Sequence, residues 1–263
     1  MTNEGGRMQA VEATRGRRGG GRRLTYRIAA AVLGLAVVGG TLPPTIDSFV
    51  SDENAIHRMH TTSTLIGFGG MVGLLLIVSA WRPEENVAAI HVVAAAAAAG
   101  LIAGLMSGDL IDGGWLVAPI LVLIVWALHP ARAELFRFRG PNLALIGLSL
   151  VAAIPGIAWA LTQAELQRNG VPALDPHAEF HHYSGMAAAG TTIPLVGIAA
   201  AFRARGTRLA RWFVGACIAA LGLASLALSE EIGAFDAPWA WALIAGGILY
   251  IVLSEVTGRS SRA

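Results

Sequence analysis

The strongest constraint on the fold is a series of apolar blocks, each close to 20 residues long. A helix of that length crosses a hydrocarbon core of roughly 30 Å. Only 14% of the 263 residues are charged, whereas a soluble domain usually carries about a quarter. No amphipathic pattern with a broad polar face dominates these blocks, which argues against a soluble bundle. The sequence therefore predicts an all-α polytopic membrane protein.

Short polar breaks between the blocks predict eight transmembrane helices. We expect them at about residues 25–44, 61–81, 87–107, 113–129, 142–162, 183–202, 209–228 and 237–255. Residues 1–23 are basic and glycine-rich, which predicts a disordered tail. The expected organisation is therefore this tail, a first four-helix half over 24–140, a second over 141–256, and a short tail over 257–263.

The arginine distribution predicts the orientation. All 19 basic residues are Arg, which excludes a lysine Schiff base and, with the abundant Ala and Gly, favours a bacterial source. With both termini in the cytoplasm, only Arg58 and Arg168 lie outside, as the positive-inside rule requires. We therefore expect a multi-pass protein of the inner (cytoplasmic) membrane. Its basic tail is suited to anionic lipid headgroups and lacks the aromatic residues that would favour nucleic acid.

The two longer outer breaks, at 45–60 and 163–182, resemble each other at an offset of 122 residues. The aligned pairs are His60 with His182, Glu53 with Asp175, His57 with Glu179, and Asp109 with Glu231. An even number of spans in each half predicts parallel repeats about an axis along the membrane normal. Chance similarity between apolar helices is the alternative.

Five of the seven histidines lie in these breaks or at the span ends that follow them. They are His57, His60, His177, His181 and His182. Spacings of three and four residues put imidazoles on one helix face, where they could bind a divalent metal or heme iron. Neighbouring carboxylates can orient such ligands, and Glu53, Asp175 and Glu179 are the candidates. The alternative is that these histidines have no ligand role and form hydrogen bonds only with water or lipid headgroups.

Three further residues complete the predicted site. Arg58 would hold an acid, a propionate or a headgroup. Asp109 and Glu231 end apolar helices, and acids near the membrane interior are often functional. The single Cys217 excludes an intrachain disulfide and a thiolate metal cage.

The pattern Glu53, His57-Arg58 and His60, with His181-His182 in the second half, resembles heme A synthase. That family has eight spans in two four-helix halves, with His at outer helix ends. Gly114-Trp115 also resembles the start of a family fourth span. The resemblance implies heme bound by His60 and His182. The fourth and eighth spans here lack the family's outer-end His, and its Cys pair is absent. The string DPHAEFHHYSG equally resembles uncharacterised bacterial membrane proteins, which implies no activity.

The residues leave three functions open. The first is a heme or divalent-metal protein working at the outer face, with redox chemistry as one option. His60 and His182 would be its ligands, and His57 and His181 would be supporting or alternate ligands. The second is a transporter for a metal ion or a proton-coupled solute. The third is a non-catalytic scaffold or assembly subunit, acting with a membrane-protein partner or as a homo-oligomer.

Overall fold

The computed structural model describes the backbone of residues 4–170 and 174–260, and the side chains of residues 20–170 and 174–258. Helices account for the regular structure in these ranges, apart from one isolated bridge between Arg139 and Arg203. The α-helices are α1 Glu4–Val50, α2 Arg58–Thr64, α3 Leu75–Trp81, α4 Val87–Ser107, α5 Val117–Leu128, α6 Leu143–Asn169, α7 Pro176–Glu179, α8 His182–Ala201, α9 Thr207–Ala227 and α10 Ala237–Ser260. A one-turn 3₁₀ helix, Ala55–His57, precedes α2, and a π-helical segment, Leu65–Leu74, joins α2 to α3.

Seven helical segments of the described chain are long and apolar enough to cross a membrane. They are Gly20–Val50, Ala55–Trp81, Val87–Ser107, Leu143–Asn169, His182–Ala201, Thr207–Ala227 and Ala237–Gly258. The expectation of an all-α, multi-pass membrane protein is therefore confirmed.

The predicted fourth span, 113–129, differs from these seven. Only Val117–Leu128 is helical, and 12 residues give a helix of about 18 Å. Gly114, at a φ of 70°, lies in the turn before α5, and Pro130 follows its end, where the ring disfavours a continuing helix.

In the turn that precedes α5, the side chain of Trp115 packs against α4. A Cβ placed on Gly104 would lie 2.7 Å from the ring of Trp115, and one on Gly100 would lie 2.8 Å from it. The indole therefore packs against α4 one to two turns below the end of that helix. The chain just before α5 is thus a turn that packs Trp115 against α4, while Asp112, Gly114 and Leu116 stay exposed.

Contacts between loops define the two ends of the bundle. At the first, the arginine end, Arg23 lies 3.4 Å from Glu84, and the Ala88 N–H donates to the Arg205 carbonyl at 2.9 Å. Every arginine whose side chain is described lies there except Arg58 and Arg168. At the second, the histidine end, Arg58 lies 3.7 Å from Glu231. The chain alternates between these two ends along its length.

Helices α4 and α8 form the centre of the bundle. Most of each is buried, and the Thr191 hydroxyl donates to the Ala99 carbonyl at 3.1 Å. Small residues allow close packing here, since a Cβ on Gly156 of α6 would lie 2.9 Å from the Gly190 carbonyl oxygen. This centre fixes where α8 begins, and so fixes the histidines at its start.

Helix α1 extends beyond its predicted span in both directions. It continues to Val50 through Pro43 and Pro44, where the sequence predicts an end. It also begins at Glu4, within the stretch for which the sequence predicts a disordered tail. No proline interrupts residues 4–42, so the helical hydrogen bonds can continue toward the N-terminus.

Candidate functional site

His57 and His60 enter the histidine end from the first half of the chain. The 3₁₀ turn Ala55–His57 leads directly into α2, and this geometry brings the two ring centroids to 4.8 Å. His60 is only 2% exposed. Its imidazole therefore points into the protein rather than toward lipid or water.

His182 enters from the second half as the first residue of α8. Asp175 caps the short helix α7 by accepting from the His177 N–H at 2.9 Å. The chain then reverses at His181, whose φ of 59° is uncommon for a residue with a side chain. This reversal stacks the His182 ring on His60, with centroids 4.0 Å apart and planes at 25°. The edge of His57 meets His182 at 4.8 Å.

These three residues form the histidine triad: His57, His60 and His182. One ring nitrogen from each lies within 4.8 Å of the others, close enough for three ligands to share a metal ion. Among the described residues, neither ring nitrogen of His60 has a hydrogen-bond partner, nor does Nδ1 of His57 or of His182. Buried polar atoms are rarely left unpaired, so each imidazole of the triad has a nitrogen that is available to a ligand.

His177 packs against the triad without joining it. Its ring centroid lies 5.0 Å from His57 and 5.1 Å from His60. Its Nδ1 lies 3.3 Å from the Asp175 carboxylate, and its Nε2 lies 3.2 Å from the Ile56 carbonyl. Both nitrogens thus have oxygen neighbours, and the ring supports the first-half histidines rather than offering a free ligand atom.

Asp175 holds this support in place. Besides His177 it accepts a hydrogen bond from the Tyr183 hydroxyl at 3.0 Å. Burial raises the pKa of Asp175, but the hydrogen bonds from the His177 backbone N–H, the Tyr183 hydroxyl and the His177 ring outweigh this effect and lower it overall. The carboxylate is therefore ionised at neutral pH and anchors both rings.

His181 and Asp109 form a separate pair beside the triad. The His181 Nδ1 lies 2.9 Å from Asp109 Oδ1, and Asp109 is only 6% exposed. The predicted supporting acid Asp109 thus faces His181, not His60 or His182. The left-handed backbone of His181 directs the side chain here, although the sequence groups it with the ligand histidines.

The other predicted site residues lie outside the triad. Arg58 donates to the Ser48 carbonyl at 3.1 Å and lies 3.7 Å from Glu231, so these two residues clasp α1, α2 and the 228–236 loop together. Within the described part of the chain, no hydrogen bond or ion pair joins Glu53 or Glu179 to a triad imidazole. Of the three acids predicted to orient the histidines, Asp175 contacts His177, which packs against the triad.

Two supporting contacts escaped sequence reasoning. The Trp115 indole donates to the Ser184 hydroxyl at 3.2 Å. Gln167 bridges α6 to the His177 segment, donating to the Ala178 carbonyl at 2.9 Å and accepting from the Ser184 N–H at 3.3 Å. A polar Gln in an apolar helix one turn from its end was the available signal for the second contact.

No protein-family model matches the sequence, and no curated protein or solved structure matches it either.

Proposed function

We propose that this protein is a metalloprotein of the inner membrane that binds one divalent transition-metal ion through the histidine triad. The observation that supports this most is that one ring nitrogen from each of His57, His60 and His182 lies within 4.8 Å of the others, and that each of these rings has a buried nitrogen without a hydrogen-bond partner among the described residues. A bound metal ion would pair with these buried nitrogens. Without a partner, each buried nitrogen would lower the stability of the folded protein by about 1–3 kcal/mol.

The geometry favours a small ion over heme. Two axial histidines must lie on opposite faces of a porphyrin, which needs a flat slot between them. His60 and His182 stack directly on each other at 4.0 Å, and His57 lies against both. A porphyrin would have to separate these rings, whereas a single ion needs only small rotations of them.

Three protein ligands leave a coordination position open. Structural zinc sites usually have four protein ligands, while catalytic ones keep a position for water or substrate. Imidazole suits zinc, copper, iron and nickel, so the triad supports either Lewis-acid or redox chemistry. The Asp175–His177 pair would hold the ligand rings in position, as carboxylate–imidazole pairs commonly do around metals.

The proposal includes eight spans, with the arginine end in the cytoplasm. The short α5 with the turn before it would complete the fourth span, and its sequence, VAPILVLIVWAL, is apolar throughout. The order of elements also repeats: a long helix, a single helical turn and three further helices follow one another in each half. Parallel repeats would therefore place His60 and His182 at equivalent positions.

Metal analysis of detergent-purified protein tests the proposal. After Co²⁺ or Zn²⁺ loading and removal of free ion, we expect about one ion per chain and no Soret band. His60→Leu should weaken binding by more than about 100-fold, beyond the 10- to 100-fold typical of losing a supporting residue. His91→Leu, which removes a buried imidazole at the arginine end, is the matched control and should keep full stoichiometry.

Two results would overturn this assignment. One is unchanged metal stoichiometry in His60→Leu. The other is a Soret band in wild-type protein that His60→Leu abolishes, which would show that the site holds heme.

A further inference from the structure

A cavity of about 380 Å³ lies directly beside the triad. Two triad members, His60 and His182, form part of its wall, and the aromatic rings of Phe68, Trp115 and Phe180 form much of the rest. A metal ion held by the triad would therefore lie at the wall of this cavity. The volume falls in the range of roughly 300–1,000 Å³ that small-molecule sites occupy.

Polarity changes along the cavity in one direction. His60, Thr64 and Phe68 follow one another at four-residue spacing down one face of the second passage. Phe68 therefore lies roughly 12 Å further along the helical segment than His60, at about 1.5 Å per residue. The exposed Asp112 lies at the opposite, outer side of the same cavity. Apart from the exposed ring of Phe180 at the outer end, the wall is thus polar at the outer end of the bundle, with His60, His182 and Asp112, and aromatic toward its middle, with Phe68 and Trp115.

We infer that this cavity binds a single-chain membrane amphiphile, with its polar head at the metal and its hydrocarbon chain against Phe68 and Trp115. The inference rests on the proposed metal site. The direction of the polarity change matches that of an amphiphile in the outer leaflet, whose head lies at the surface and whose chain points inward. A wholly polar solute would leave the aromatic wall without a partner.

Gly185 keeps the cavity open. It lies on α8 one turn after His182, and the nearest atom to a Cβ placed there is Thr64 Oγ1, at 4.0 Å. A larger side chain at this position fits without a backbone clash and extends into the cavity. Gly147 on α6 also has nothing within 4 Å of its Cβ position but lies away from the cavity, so it provides a matched control.

Co²⁺-loaded protein and two hydroxamates of different chain length test this inference. A hydroxamate binds a metal through its oxygens, and the visible spectrum of bound Co²⁺ changes when its fourth ligand changes. Acetohydroxamate probes the metal position alone, and dodecanohydroxamate adds a hydrocarbon chain. With affinities expressed against the free aqueous concentration of each compound, we expect dodecanohydroxamate to bind at least 100-fold more tightly, because each methylene moved from water into the cavity contributes roughly fourfold.

Gly185→Leu should remove most of that advantage. We expect it to weaken dodecanohydroxamate binding at least tenfold, with acetohydroxamate affinity changed less than threefold. Gly147→Leu should bind both compounds as wild type does. Because all three proteins are studied in the same micelles, partition of the long chain into detergent cancels between them.

The outcomes separate this inference from the metal site. If wild-type protein binds no Co²⁺, the proposed function fails. If Co²⁺ binds but the two hydroxamates have similar affinities, or Gly185→Leu weakens both equally, the amphiphile site is refuted and the metal site stands. The same holds if Gly147→Leu reduces the long-chain advantage as strongly as Gly185→Leu.

Discussion

The protein buries imidazoles at both ends of its bundle, but the two ends use them differently. At the arginine end, the His91 Nε2 lies 2.8 Å from the Leu135 carbonyl, and the ring stacks on Phe138. His129 is fully buried, and its Nδ1 accepts from the Ala131 N–H at 3.1 Å. Each of these rings has a backbone partner and an aromatic neighbour, as expected of a packing residue.

At the histidine end, imidazoles contact one another instead. His60 touches His57, His177 and His182, and neither of its nitrogens bonds to a described neighbour. Burial alone therefore does not distinguish a ligand from a packing histidine, since His60, His91 and His129 are all buried. An unpaired nitrogen does not distinguish them either, since His91 Nδ1 and His129 Nε2 also have no hydrogen-bond partner among the described residues. The distinguishing feature is that imidazoles from two distant parts of the chain bring one nitrogen each to within 4.8 Å of one another.

The largest expected effect concerns the sides of the membrane on which the two ends lie. In a Cys217→Ser background, Arg137→Cys should react only with a thiol reagent on the cytoplasmic side, and Arg168→Cys only with one outside. These positions lie at opposite ends of the bundle and follow the arginine asymmetry. Labelling of both from one side of sealed vesicles would contradict the proposed orientation.

The next prediction contrasts His60 with His91 in metal-free protein. His91→Leu should lower the free energy of unfolding by about 1–3 kcal/mol, because it leaves the buried Leu135 carbonyl without its donor. His60→Leu should be neutral or stabilising, because it removes unpaired nitrogens and leaves no partner behind. Denaturation in mixed micelles measures both. A large loss for His60→Leu would show that its nitrogens have partners in the native protein.

The sequence predicted the region in which the histidines meet, but not which of them form the triad and which support it. Apolar block length predicted the helices, because a membrane-crossing helix needs a continuous run. At α5 the block predicted a longer helix than the structure has, because Gly114 and Pro130 flank the helix Val117–Leu128 and a turn precedes it. Helical spacing predicted that five histidines lie in one region. It could not predict the left-handed backbone that directs His181 toward Asp109. Nor could spacing show that His177 already has partners for both nitrogens.

A smaller effect is expected from the support of the triad. Asp175→Asn should weaken metal binding about tenfold, in the range found when a carboxylate behind a ligand imidazole is removed. The amide can still cap α7, but it loses the charge that holds the His177 ring and the Tyr183 hydroxyl. Asp236→Asn, at an exposed position of the same end, should leave metal affinity unchanged. Equal affinity in both variants would show that His177 needs no anchor.

The smallest effect concerns Asp109 and Glu231, the acids that the proposed duplication pairs. Glu231→Gln should cost less than about 1 kcal/mol, because its ion pair with Arg58 is 3.7 Å long and both side chains are partly exposed. Asp109→Asn should cost more, since Asp109 is 6% exposed and faces His181 at 2.9 Å. Unfolding measurements at low and high salt distinguish them, because salt screens only the exposed pair strongly. The two aligned positions would then have different roles. Glu231 pairs with Arg58 near the surface, and Asp109 orients His181 beside the proposed metal site. Equal losses for the two variants would contradict this difference and favour a symmetric pair of sites.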